Sequence, residues 1–281
     1  MPAQLAHLTD IGTRTTPMTI RPPADYLRSV PAIDETGLHA DPTVRQLVAA
    51  HSAFGTLPEQ DRHTLLRFSR IRTLKRLEAI CQPGDPATSV LLVLEGFMKV
   101  SRPLSDDGEI ILELLGAGRS AGELPALQRK AHDTAIVALS PCRLLQIDAR
   151  QFRQVFERRP DELLAILRLV EERFQIVTDQ LADSRDQPAA ARLAKALLRL
   201  ARSPIAGSNS EAGLPMRLSQ AELGSMSSLC REFVCRYLGA WRDAGWVKMH
   251  GGTVSSIQIV PLTRVSEAEA SGGNQSRSRL N

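Results

Sequence analysis

Long apolar runs, paired cysteines and aromatic residues are all scarce in this chain of 281 residues. The densest apolar stretch, SVLLVLEGF, is strand-sized. A membrane span needs roughly 18 to 20 apolar residues, so none is expected. No basic segment followed by an apolar one opens the chain, and no secretory signal is expected either. The four cysteines (Cys81, Cys142, Cys230 and Cys235) form neither a disulfide framework nor a CxxC pair. These absences point to a cytoplasmic protein. Nucleophile–base motifs, metal-ligand clusters and phosphate-binding loops of the nucleotide-hydrolysing kind are also lacking, which argues against an enzyme and assigns no metal or cofactor. The aromatic share is only 4%, yet the apolar fraction of 43% is ordinary for a globular chain. The length allows one large domain or two ordinary ones.

The net charge of +4 is unevenly spread. Residues 188–264 hold ten Lys/Arg against four acids, a net of +6, whereas residues 1–187 carry −2 and the tail is balanced. A basic C-terminal third on a slightly acidic body suggests a polyanion partner for that third.

Residues 1–42 are rich in Thr, Pro, Ala and Asp without a sustained period, and are expected to form a largely disordered extension. Met18 within it is an alternative start. Residues 43–72 look like short helices around a turn. From 73 to 148, short apolar runs alternate with turn signals at Pro83-Gly84-Asp85, Gly96, Asp107-Gly108, Gly116 and Pro141. That spacing argues for a sandwich or barrel, placed in a sensor domain over 43–160. From 161 the period changes: Leu163, Leu167, Val170, Phe174, Val177 and Leu181 recur at alternating steps of four and three. This is a seam for a partner helix or, equally on spacing, a helix packed on its own domain. Pro188 suits the first turn of a new helix, so a hinge near 184–188 ends the 161–187 segment. Residues 188–264 then form a further domain, and 265–281 a disordered tail.

Within 188–264, LSQAELGSMSSLCREFVCRYL (218–238) carries the clearest local signal. Ser219 followed by Glu222 has capping-box spacing, which starts a helix over about 220–226 with Leu223 and Met226 inward. Ser227-Ser228-Leu229 is a turn, and a second helix runs over about 230–243. Phe233, Val234, Tyr237, Leu238 and Trp241 are expected on its buried side, and Arg231, Glu232, Cys235, Arg236 and Gly239 on the opposite face. GWVKMHGGTVSSIQIV reads as a hairpin around His250-Gly251-Gly252. Helix, turn, helix and hairpin make a winged helix-turn-helix, whose second helix enters the major groove of double-stranded DNA. Arg donates two hydrogen bonds to guanine, and Glu accepts from cytosine. The bland alternative is a solvated face on which Glu232 and Arg236 form an i,i+4 pair worth about 0.2–0.5 kcal/mol.

The order of parts resembles the Crp–Fnr family of bacterial regulators, on QPGDPATSVLLVLEGFMKV, GAGRSAGEL, the 161–185 helix and CREFVCR, over about residues 50–262. The resemblance implies an α+β fold: an N-terminal β-roll (a double-stranded β-helix of the cyclic-nucleotide-binding kind), a long dimerisation helix and a C-terminal winged helix-turn-helix. It implies a homodimer on a near-palindromic operator and, for an activator, RNA polymerase as a further partner. Arg231, Glu232 and Arg236 match the family's base-reading residues. Gln220 sits where a further contact is common, and Cys230 replaces the usual Ser or Thr cap. Gly122, Glu123 and Leu124 match the turn that faces the cyclic phosphate, with Glu123 at the ribose position. The arginine expected to pair with that phosphate is replaced in Asp133-Thr134-Ala135 by an aspartate. Losing a cation and gaining a like charge are each worth about 4 kcal/mol at contact in a medium of dielectric about 20. Arg129 or Lys130 is the available compensation. On the long helix, Val177 replaces an adenine-binding hydroxyl residue and Thr178 keeps one. Loss of cyclic-AMP binding is therefore expected, and the effector is left unnamed.

No cysteine precedes Cys81, so the family's iron–sulfur cluster is not expected. A haem ligand among His51, His63 and His132 is left open beside the commoner reading of solvated surface histidines. Cys230, beside Arg231 at a helix start, is a candidate redox thiol. The reading is a dimeric, sequence-specific DNA-binding regulator. The alternative is a ligand-binding regulatory module that controls a protein partner.

Overall fold

The computed structural model describes residues 41–105, 108–201, 211–214 and 216–267. The expected N-terminal extension up to residue 40, Met18, the Asp107 half of one turn and tail residues 268–281 lie outside them. Helix α1 (Pro42–Ala50) begins at an Asp41 cap whose carboxylate accepts from the amides of Thr43 and Val44, at 2.9 and 3.3 Å, with Pro42 in the first turn. Asp41 also accepts from Arg143 at 2.8 Å. The folded body therefore starts before residue 43, where the sequence reading began it. Helix α2 (Glu59–Arg67) follows. Strand β1 (Ser69–Leu74) starts inside the stretch expected to be helical, because it pairs along its whole length with β8 (Cys142–Asp148), a partner far away in sequence.

The strands make two antiparallel four-stranded sheets. One runs β1-β8-β3-β6, with β3 at Ser89–Glu95 and β6 at Ser120–Ala121. The other runs β2-β7-β4-β5: Ala79–Cys81, Ala135–Ala138, Met98–Pro103 and Glu109–Leu115. Side chains alternate across a strand, and Leu91, Val93, Met98, Leu115, Ile136 and Leu144 fill the space between the sheets. This is the expected β-roll. Helix α3 (Glu123–Gln128) lies between β6 and β7, and α4 (Ala149–Glu157) follows β8. A second core joins α1, α2 and α4 to the first sheet through Phe54, Phe152, Phe156, Leu92 and Leu145. Phe152 is fully buried and meets Phe54 edge-on at 6.1 Å.

After a short 3-10 turn comes the 24-residue helix α5 (Leu163–Asp186). Ala165, Ile166 and Leu169 bury its inner face on the roll, with Val170 partly buried beside them. Leu163, Leu167, Phe174, Val177 and Leu181 are exposed. Helix α6 (Ala189–Ala201) starts after Pro188. Helices α7 (Gln220–Ser227) and α8 (Arg231–Asp243) then precede β10 (Val247–His250) and β11 (Thr253–Gln258). A short strand β9 (Glu211–Gly213) completes a three-stranded wing, one strand more than the expected hairpin. The domain does not end at 264. Helix α9 (Ile259–Glu267) packs on α6 with Leu262 fully buried, so the first residues assigned to the tail are folded. The C-terminal core takes in Phe97 and Leu139 from the roll, so one apolar cluster bridges roll and C-terminal domain.

Candidate nucleic-acid interface

The start of α7 is a complete capping box. The Ser219 hydroxyl accepts from the Glu222 amide at 3.2 Å, and the Glu222 carboxylate accepts from the Ser219 amide at 2.6 Å. The turn after it is tight. Ser228 takes a left-handed conformation, φ 54°, and the Leu229 amide donates to the Gly224 carbonyl at 3.0 Å. A Cβ at Gly224 would lie 2.5 Å from the Leu229 carbonyl oxygen, so only glycine allows the turn to fold this closely over α7.

Helix α8 buries Val234, Leu238 and Trp241 and exposes Arg231, Glu232, Cys235 and Arg236. Cys230 caps it with extended backbone geometry but makes no side-chain cap bond. The Cys230 side chain close by is the leading cause that holds the Glu232 carboxyl below its usual range, so Glu232 is ionised at neutral pH. Phe233 does not join the buried side as expected: it is 42% exposed. The Arg236 guanidinium lies 4.6 Å from the centre of its ring and 5.3 Å from that of Tyr237. Phe233 thus serves as a platform for the cation, a contact worth about 0.5–1 kcal/mol at an exposed site. Among the described residues no ion pair joins Arg236 to Glu232, so the i,i+4 alternative is not what holds this face together. Gln220 is the first residue of α7 and half-buried, and Gly251-Gly252 form a two-residue turn at the tip of the wing.

On the roll, Gly122 (φ 91°) caps α3, and a Cβ there would meet the Ser89 carbonyl oxygen at 3.1 Å. Leu124 and Asp133 are exposed and Thr134 half-buried. Thr178 is exposed, with its hydroxyl donating to the Phe174 carbonyl at 2.8 Å. Glu123, in contrast, is 1% exposed and fully engaged. It accepts from Arg173 Nη1 at 2.9 Å and from the Ser120 hydroxyl. Arg173 Nε also reaches Glu113 at 2.9 Å, and Arg119 Nη2 reaches Glu113 at 3.1 Å. Burial alone would raise the Glu123 carboxyl, but the charge and hydrogen bond of Arg173, with Ser120, outweigh it and the net direction is down.

His51 Nε2 lies 2.7 Å from the Ser120 oxygen, and His51 Nδ1 accepts from the amides of Ala53 and Phe54. Burial, the leading cause, pushes His51 down to about 4 despite the nearby Glu123. His51 and His132 are therefore buried, not the solvated surface groups expected. Arg129, one candidate compensating cation, pairs with Glu157 at 3.6 Å on the surface.

The sequence reading missed Arg173 and Ser120, and named His51 only as an open haem ligand or a surface group. Arg173 had one legible signal: it continues the inner stripe of Ile166 and Leu169 at helical spacing, and a cation in an apolar stripe calls for a buried partner.

Between the outer face of the β2-β7-β4-β5 sheet and α7 lies a cavity of about 420 Å³ lined by Gln82, Ser101, Glu109, Val137, Ala221 and Glu222. Arg76 approaches Glu222 at 3.9 Å across the same interface. Helix α7 thus rests on the roll while α8 faces outward.

Residues 71–159 match the model of the cyclic nucleotide-binding domain, and residues 191–264 that of the Crp-like helix-turn-helix domain. The cAMP-activated global transcriptional regulator CRP of Haemophilus influenzae is 27% identical over 172 residues, 61% of this chain and 76% of the relative. The regulator of the same name from Pasteurella multocida is 28% identical over 172 residues, 61% of this chain and 82% of the relative. A CRP/FNR-family transcriptional regulator of Thermus thermophilus shares the fold at 20% identity and a TM-score of 0.59, covering 71% of this chain and all of that one. The c-di-GMP responsive global regulator CLP of Xanthomonas campestris does so at 22% identity and a TM-score of 0.60, covering 70% and 98%. With both domain models matched in the order roll, long helix and helix-turn-helix, the chain belongs to the Crp–Fnr family of DNA-binding transcriptional regulators.

Proposed function

We propose that the chain is a cytoplasmic homodimer that reads a near-palindromic operator, one α8 per half-site, and that its roll no longer takes cyclic AMP. One observation carries the DNA-reading part: Arg231, Glu232 and Arg236 stand exposed on α8, between a sterically fixed turn and a wing, on a domain of net charge +6. In the major groove such arginines donate in pairs to guanine and the ionised glutamate accepts from cytosine. The rings beneath Arg236 reduce the freedom it loses on binding. Gln220 and Cys230 flank this face at the starts of the two helices and supply contacts at its edge.

The pairing surface is the outer side of α5. Leu163, Leu167, Phe174, Val177 and Leu181 leave an apolar stripe along a helix about 36 Å long, which a second copy would cover. Val170 contributes mainly to the subunit's own core. An activator of this build would also touch RNA polymerase.

Three features support the loss of cyclic AMP. The residue at the phosphate-facing position is an exposed aspartate in place of the arginine. Arg129 is engaged elsewhere, and Glu123 is already held by Arg173 and Ser120. The test is selection of bound sequences from random DNA with purified protein, with and without cyclic AMP, at several salt concentrations. An enriched inverted repeat, a steep salt slope and no effect of cyclic AMP are expected. The absence of enrichment refutes the DNA reading, and cyclic-AMP-dependent enrichment refutes the loss of that ligand.

A further inference from the structure

The joint between α5 and α6 contains little backbone freedom. Gln187 is its single extended residue, with φ −106° and ψ 139°, and Pro188 follows with a ring-fixed φ. Across this joint one carboxylate holds two cations. Asp183 Oδ1 lies 2.5 Å from Lys195 Nζ and Asp183 Oδ2 lies 4.0 Å from Arg199 Nη2. Lys195 and Arg199 are four residues apart on α6 and so share a face. The Asp183 carbonyl also accepts from the Gln187 amide at 3.0 Å, so the same residue closes α5 and grips α6. From α6 the path continues to the DNA-reading unit, where Arg192 Nη1 donates to the Ser228 carbonyl at 3.1 Å in the turn before α8.

A lever this long makes the joint angle matter. Helix α6 has 13 residues and is about 20 Å long. A rotation of about 10° at its base moves its far end roughly 3.5 Å, close to the 3.4 Å rise of one base pair. Two such units must meet half-sites about one helical turn apart.

We propose that Asp183 is a specificity-determining positioning residue: by holding Lys195 and Arg199 it sets the α5–α6 angle, and so the half-site spacing that the dimer accepts. This rests on the dimeric reading above.

The experiment measures affinity for four duplexes: the selected operator, the same operator with its central spacer one base pair shorter or longer, and a single half-site. Wild type should prefer one spacing by about tenfold or more, within the ordinary range of coupling between distant sites. D183N should shrink that ratio severalfold while half-site affinity stays unchanged, a split that general unfolding would not give. K195M should do the same from the other helix, and the D183N/K195M double variant should lose no more than either single variant. If D183N folds poorly, K195M carries the same test. A wild-type spacing ratio in either folded variant, or additive losses in the double, overturns the proposal. A wild-type protein that binds the half-site as well as the full operator overturns the dimeric reading itself, and this inference with it.

Discussion

Replacing Arg173 by methionine isolates the energetics of the buried network it forms with Glu123 and Glu113. Arg173 Nη1 is 2.9 Å from Glu123 and its Nε 2.9 Å from Glu113, and the side chains of these carboxylates are 1% and 11% exposed. Deleting the cation strands Glu123, and leaves Glu113 with Arg119 alone, in a site where water replaces little of the lost attraction. Breaking a buried pair from one side costs roughly 3–5 kcal/mol, whereas an exposed pair is worth about 0–1. At about 2–4 °C per kcal/mol for a chain of this size, the melting temperature should fall by about 6–20 °C. Pairing Arg173→Met with Glu123→Gln removes the stranded charge and should recover much of the loss. The coupling in a double-mutant cycle should be on the order of 2 kcal/mol.

The pH dependence gives a second readout with a definite sign. In wild type the Glu123 carboxyl lies below its ordinary value of 4.5. Its contribution is therefore complete above that value and lost as pH falls through the depressed one. Without Arg173 burial dominates and the same carboxyl rises. The variant then gains relative stability on acidification, and the gap to wild type should narrow from pH 8 to pH 5. Calorimetric scans across that range check both points. A loss below about 1 kcal/mol, or a gap independent of pH, would mean that the network is merely a solvated ion cluster.

Other outcomes follow from the same geometry. His51, lowered from 6.5 to about 4 chiefly by burial, contributes stability that is present above 6.5 and lost as pH falls from there to about 4. This is on the order of 3 kcal/mol, and His51→Gln should flatten the urea-midpoint slope in that window. Arg231→Ala should lose about 1–3 kcal/mol on the selected operator and relax preference at one G·C pair. An equal loss on random duplex DNA in the same titration would show that Arg231 contacts only phosphates. Phe174→Asp should yield a monomer in sedimentation without lowering the melting of the roll, since Phe174 is 69% exposed on the subunit. An unchanged oligomer would remove α5 as the pairing surface.

What could be foreseen from sequence depends on how far apart the partners lie. The capping box joins residues three apart and the wing turn is a Gly251-Gly252 pair, so spacing alone reveals both. The seam on α5 is likewise a matter of period. A period cannot say that the same helix carries a second stripe, Ala165, Ile166 and Leu169, turned to the roll, with Val170 between the two. Phe233 has the spacing of a core residue, but its position on the helix aims it at Arg236. Helix α9 was hidden by Pro261, which looks like a helix breaker but sits in the first turn, where proline does no harm.

The surroundings of Glu123, the proposed effector position, were the least legible because their decisive contacts span the chain. His51 meets Ser120 across 69 residues, and Arg173 meets Glu123 across 50. An aspartate at 133 was visible at once, yet its meaning depended on whether a neighbouring cation could replace the missing one. Arg129 faces Glu157 on α4 in an exposed pair. Arg173 leaves no charge to spare, because Glu123 and Glu113 already share it. A cyclic phosphate arriving here would meet Asp133 in place of a cation, and to recruit Arg173 it would have to break that residue's buried contacts with Glu123 and Glu113. The cost of that breakage, added to the substitution at 133, is the physical argument behind our proposal that the roll no longer takes cyclic AMP.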